Sequence, residues 1–153
     1  MEYTPLLSPG LNFLTLTQLR DLCAAKFQLS KTRNKLMEGL ESVVGYFQKE
    51  NVCAEIWIDG SFVTEKIDPK DVDIVLCIQH DQYRKMPPKQ RDVVRWYTTQ
   101  DLLGSYGCDN YYFVEYSAGH PDFDKGQIVR NYWLDTFGED RDGFKKGIAA
   151  IKI

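Results

Sequence analysis

Ile56-Trp57-Ile58-Asp59-Gly60-Ser61 is followed, after the nine residues 62–70, by Asp71-Val72-Asp73-Ile74-Val75-Leu76. An apolar run ends in Gly-Ser, a polar loop intervenes, and a second apolar run opens on two aspartates one residue apart. Short apolar runs bounded by glycine and polar residues read as strands. In a strand, residues i and i+2 point to one face, so Asp71 and Asp73 stand side by side, roughly 6.5–7 Å apart by the rise per residue. Two carboxylates that close repel unless a cation or a proton sits between them. Their hard oxygens suit Mg²⁺. Gly60 lets the chain turn tightly and lets a ligand approach the backbone. Ser61, opening a helical turn, leaves N–H groups that suit an anion. Lys66 and Lys70 lie in the loop that follows, and Pro69 fixes its exit. The two halves together point to a metal-bound phosphate at one sheet edge. Phosphoryl chemistry of that kind calls for a third carboxylate on a neighbouring strand. Asp109 opens the next predicted strand and Glu115 lies near its far end. Only one end can lie beside Asp71 and Asp73, and Asp109 is the favoured candidate.

On either side the chain alternates helix and strand. Residues 1–14 are rich in Pro and Leu and show no clear period. Thr15 or Thr17 caps a short helix to about Ala25. Leu36, Leu40, Val43, Val44 and Phe47 share one helical face, which predicts a helix from Lys31 to about Glu50. Lys31, Arg33 and Lys35 crowd its first turns and read as a solvated face, or else as a phosphate-facing basic edge. The first strand runs from Ala54 to Asp59 and the second from about Val72 to Ile78. Residues 79–90 are polar, and His80 and His120 read as surface histidines. A helix spans about Lys89 to Leu103. The third strand runs from about Cys108 to Tyr116, aromatic-rich as strands often are. Residues 122–127 read as loop, and Ile128 to Phe137 as a helix with Val129, Tyr132, Trp133 and Phe137 inward. Gly147 to Ile153 is an alternating piece that suits a sheet edge. Asp59 reads as a strand-end hydrogen-bond partner, and Arg141 as part of a charged turn. The expected fold class is α+β, a mixed central β-sheet with helices packed on it, in a single domain over 1–153.

Composition narrows the function. A net charge of −3 argues against a protein that grips nucleic acid with its whole surface. No apolar run approaches the length of a membrane span, and the start of the chain lacks the basic and apolar regions of a signal peptide. Cys23, Cys53, Cys77 and Cys108 form no C-x-x-C pair, so reduced cysteines in a cytoplasmic protein are expected.

Gly60-Ser61, the spacer and Asp71-Val72-Asp73 resemble the signature of the DNA polymerase beta-like (minimal) nucleotidyltransferase superfamily. With Trp57 to Thr64, Pro69 and the ending Phe137-Gly138, Asp140-Arg141-Asp142-Gly143 and Lys146-Gly147-Ile148, the chain resembles a small bacterial stand-alone family within it. The resemblance implies Mg²⁺ (or Mn²⁺) on Asp71 and Asp73, with Asp109 as the third acidic position. It implies that Gly60 and Ser61 touch the β- and γ-phosphates of a nucleoside triphosphate, the substrate. The implied reaction moves a nucleoside monophosphate to a hydroxyl of a protein, RNA or small molecule. This sequence departs from the pattern after Ser61, where Phe62 replaces the usual basic residue; Lys66 is the candidate substitute. It also has no room for a second, base-holding domain, so a homodimer or a partner protein completing the pocket is expected. The alternative is a catalytically inactive binding module of the antitoxin or immunity type.

Overall fold

The computed structural model describes residues 2–153. Five strands form one mixed sheet: β1 (Gly10–Phe13), β2 (Glu55–Asp59), β3 (Val72–Gln79), β4 (Cys108–Glu115) and β5 (Gly147–Lys152), in the order β1-β5-β2-β3-β4. β1 pairs parallel with β5, β5 and β3 flank β2 antiparallel, and β3 pairs parallel with β4. The helices are α1 (Leu16–Arg20), α2 (Arg33–Lys49), α3 (His80–Lys85), α4 (Pro88–Thr99), α5 (Leu103–Tyr106) and α6 (Phe123–Phe137). The fold is α+β with helices on both faces of the sheet.

Strand alternation sets the two layers. Ile56, Ile58, Ile74, Leu76, Ala149 and Ile151 face α1, α2 and α4, where Leu19, Leu40, Val44, Phe47 and Tyr97 complete the larger core. Their neighbours Trp57, Val75, Cys77, Ile148 and Ala150 point the other way, against Phe113 and the end of α6 at Phe137. Both layers are fully buried at their centres, and truncating a side chain such as Phe47 or Trp57 costs about 3–5 kcal/mol. The same alternation carries beyond the strand ends. Asp59 follows Trp57, Asp71 and Asp73 precede Val75, Asp109 precedes Tyr111 and Phe113, and Lys146 precedes Ile148. All five therefore fall on the α6 side of the sheet.

Several expectations hold. Thr15 caps α1 with a capping box to Gln18, and the chain continues as a π-helical turn over Asp21–Ala25. The apolar face predicted for α2 is buried. Cys23, Cys77 and Cys108 are buried and free, and Cys53 is exposed and free.

Four do not. Residues 10–13 form β1, too short and too half-exposed to show a period. Residues 80–85 form α3 although the segment is polar. The loop expected at 122–127 is largely the first turn of α6, which begins at Phe123, and the helix leaves Val129 and Tyr132 exposed rather than inward. The piece expected at a sheet edge is β5, which lies between β1 and β2 with both faces covered. Its alternating pattern comes from small Ala149 and Ala150 beside Ile148 and Ile151, each packed against a different layer.

Candidate functional site

The acidic residues of the opening stretch meet where β2 ends and β3 and β4 begin. Asp59 lies opposite Asp73 across the antiparallel pair, and Asp109 lies opposite Asp73 across the parallel pair. Glu115 lies beside Gln79 at the far end of β4, where it takes an ion pair from Arg130. The register thus puts Asp109, and not Glu115, next to the aspartate pair.

Gly60 is fitted to this junction. Its φ of +80° lies in the left-handed region, and a Cβ there would stand 2.5 Å from Asp73 Oδ2. Only glycine lets the Asp73 carboxylate pack over the turn. Ser61–Val63 then forms one 3-10 turn, capped by Gly60 rather than by the Ser61 hydroxyl.

Arg33 holds the loop beyond it. Both alternatives for the basic residues of the α2 start miss this side chain, which is fully buried. Its guanidinium donates to the carbonyls of Cys23, Ser61, Phe62, Thr64 and Lys66, at 2.6–3.3 Å. A rigid fork of donors satisfies a loop whose carbonyls turn inward. Sequence spacing carries no signal for this, because the partners are backbone atoms brought together by the turn.

A cavity of about 760 Å³ opens over the junction. Asp59, Gly60, Ser61, Asp71 and Asp73 line it from the sheet, and Lys66 and Lys70 from the loop. Tyr111, Tyr132, Trp133 and Phe137 give it an aromatic wall, with the Tyr111 and Trp133 rings 5.1 Å apart. Glu139, Asp140, Arg141, Asp142 and Lys146 close the side beyond α6. Asp109 stands behind this surface, its Oδ2 accepting the Tyr111 hydroxyl at 2.7 Å.

The electrostatics follow the geometry. Burial pushes the Asp73 carboxyl up to about 6, and the carboxylates of Asp71 and Asp109 add to the rise while Lys146 opposes it. Burial pushes Asp59 up to about 7 against the pull of Lys146, whose Nζ is 3.0 Å from Asp59 Oδ2. The other oxygen, Asp59 Oδ1, is buried without a hydrogen-bond partner. The Tyr111 hydroxyl is pushed up to about 12, chiefly by its hydrogen bond to Asp109, with Asp73 and Asp71 contributing. Sequence reasoning placed Asp59 as a strand-end hydrogen-bond partner; it is a buried ion-pair partner. It also missed Lys146 and Tyr111, because Lys146 lies far along the chain and Tyr111 reads as one of several strand aromatics.

His80 and His120 are half-buried rather than on the surface, and both rings pack against Tyr116. Among the described residues no three His, Cys, Asp or Glu side chains are gathered as a metal-holding group. The donor chemistry nonetheless suits Mg²⁺, which keeps several waters and is commonly bound through one or two carboxylates plus substrate phosphates. A cation beside Asp73 would relieve the repulsion that Asp71 and Asp109 impose on it.

The chain belongs to the family of unknown function DUF6932, which matches residues 1–152. No curated protein and no solved structure matches it. Among the described residues, no helix is long and apolar enough to cross a membrane.

Proposed function

We propose that this chain is a Mg²⁺-dependent nucleotidyltransferase-like protein that moves a nucleoside monophosphate from a nucleoside triphosphate to a hydroxyl. The observation that carries the reading is the register that brings Asp71, Asp73 and Asp109 to one end of β3 and β4, where Asp71 and Asp109 add to the rise of the Asp73 carboxyl beneath a cavity edged by Lys66, Lys70 and Arg141. Acids below and cations at the edge suit a metal-bound polyphosphate. The aromatic wall of Tyr111, Tyr132 and Trp133 offers π-faces to a base.

Asp71 and Asp73 would hold the metal, with Asp109 as the third acidic position. Bound there, Mg²⁺ supplies charge neutralisation of the phosphates and of the leaving pyrophosphate. Gly60 and Ser61 let the phosphates approach the backbone, and Lys66 lies within the cavity to meet their charge. In the reaction the acceptor oxygen bonds to the α-phosphorus, the bond to the β-phosphate oxygen breaks, and the hydroxyl proton passes to a carboxylate. Asp109 is the candidate for that last role: its Oδ2 accepts a hydrogen bond from the Tyr111 hydroxyl, and its Oδ1 is the oxygen left to take a proton. The chain's contribution is positioning and charge rather than a covalent intermediate. The test is incubation with labelled nucleoside triphosphates, Mg²⁺ or Mn²⁺, and cell extract. Label on a protein, RNA or small molecule is expected. No transfer together with no metal-dependent triphosphate binding sinks the reading.

One observation favours a second reading, a binding module without turnover. The groups a reaction needs are already engaged: Tyr111 takes Asp109, and Lys146 takes Asp59. Co-purification of a defined partner that survives Asp71→Ala supports that reading over the first.

A further inference from the structure

The floor of the cavity holds a cation as well as carboxylates. Lys146 stands one residue before β5, and its ammonium sits 3.0 Å from Asp59 Oδ2, with the two side chains only 12% and 4% exposed. It lowers the proton affinity of both Asp59 and Asp73, so its charge is felt across the junction. Its backbone is pinned on both sides. The Lys146 N–H donates to the Gly138 carbonyl at 2.9 Å. The next residue, Gly147, has no room for a side chain: a Cβ there would lie 2.3 Å from the Ser8 carbonyl oxygen. A fixed backbone thus presents a four-carbon stem whose head carries three donors.

Among the described residues no other cation that lines the cavity is placed this way. Lys70 and Arg141 are exposed, and Lys66 reaches over the Tyr3 ring, 5.5 Å from its centre. Arg33 is committed to carbonyls. Within the nucleotidyltransferase reading, on which this rests, the geometry points to Lys146 as an exchangeable counter-ion: paired with Asp59, which lies opposite Asp73, its ammonium stands in for the divalent cation that Asp71 and Asp73 would hold, and turns to the phosphate oxygens of the triphosphate when that cation is bound. The long side chain makes the exchange without moving the backbone. The floor then keeps its charge balance in both states, and the chain gains the phosphate-binding cation that Phe62 does not supply after Ser61.

The exchange has two consequences of opposite sign. Removing the ammonium removes repulsion against the metal, yet it also removes a donor to phosphate. An ion pair that only held the fold together would not produce the second. The experiment uses the full chain as wild type, Lys146→Met and Lys146→Arg, with Mn²⁺ alone followed by electron paramagnetic resonance and inorganic triphosphate followed by calorimetry at saturating Mg²⁺. Lys146→Met is expected to bind Mn²⁺ roughly tenfold tighter, as relief of like charge predicts. It is expected to bind triphosphate roughly tenfold more weakly, as loss of a charge-assisted donor predicts. Lys146→Arg is expected to restore triphosphate binding. Unchanged affinity for either ligand, or weaker Mn²⁺ binding, in a folded Lys146→Met overturns the proposal. Should that variant not fold, Asp59→Asn frees the ammonium to settle on Asp73, and weaker Mn²⁺ binding is then expected; unchanged binding overturns it. A wild type that binds neither Mn²⁺ nor triphosphate overturns the nucleotidyltransferase reading itself, an outcome distinct from those above.

Discussion

β3 and β4 run in register from Val72 beside Cys108 to Gln79 beside Glu115, and their two ends treat acids differently. At the far end Glu115 is satisfied: Arg130 donates to one oxygen at 2.5 Å and Gln79 to the other at 2.6 Å. At the near end Asp71, Asp73 and Asp109 face one another, and the nearest ammonium is already paired with Asp59. A carboxylate that serves the fold is given its partners by the fold, because an unpaired buried charge is costly. At the near end Asp109 has the Tyr111 hydroxyl and Asp59 has Lys146, but half-buried Asp73 keeps part of that cost, and acids arranged this way suit a ligand that brings its own positive charge.

The largest effect should separate the two ends by function. Asp73→Ala is expected to lower nucleotidyl transfer on the order of a thousandfold or more, the scale of losing a preorganised charge contact. Glu115→Ala should leave transfer in place, as read by label incorporation for both variants. Equal losses would erase the contrast.

The next effect concerns a buried cation that the fold does satisfy. Arg33→Met orphans the inward carbonyls of the 61–66 loop, and a loss of about 3–5 kcal/mol is expected from denaturant midpoints. Less than about 1 kcal/mol would show that the loop holds itself together.

A smaller loss, about 1–2 kcal/mol, is expected for Arg130→Met, because the pair it breaks is only partly buried. Triphosphate binding at the near end should not change in this variant.

The smallest effect is a pH trend. Asp59 and Asp73 rise from 3.8 to about 7 and about 6 in the folded chain. A raised carboxyl binds more protons folded than unfolded, so its stabilisation is full below pH 4 and is lost as pH climbs through the folded value. Asp59 is common to both proteins, so the metal-free wild type should lose stability relative to Asp73→Asn between about pH 4 and about pH 6, the range set by Asp73 alone. Thermal melts of both across that range give the difference, and Mg²⁺ should flatten it. A difference that grows the other way would mean that the near end is as well paired as the far end.

How much of this was legible in the sequence depends on the range of the interaction. Asp71 and Asp73 are two residues apart, so strand alternation alone placed them together. The α2 face was legible because its period is local. Asp59 with Lys146 was not: the pair is separated by most of the chain and forms only because β5 enters beside β2. Arg33 looked solvated because its partners are backbone carbonyls, which no residue type announces. β5 looked like an edge because alternation normally means one wet face, whereas here small alanines let both faces pack. Tyr132, expected inward, is 59% exposed because the face of α6 that packs on the sheet is that of Gly126, Trp133, Leu134 and Phe137.

The sheet order has a kinetic consequence. β5 is the last strand in sequence, yet it separates the first two, β1 and β2. Nothing can zip β1 onto the sheet until residues 147–152 have been made and threaded into the gap. Such long-range pairing pays its loop-closure entropy before it gains contacts, which slows folding. The same late segment delivers Lys146 to the floor of the cavity. A chain still being synthesised therefore carries Asp71, Asp73 and Asp109 without their neighbouring ammonium, and the site acquires its full charge pattern only at the closing step of folding.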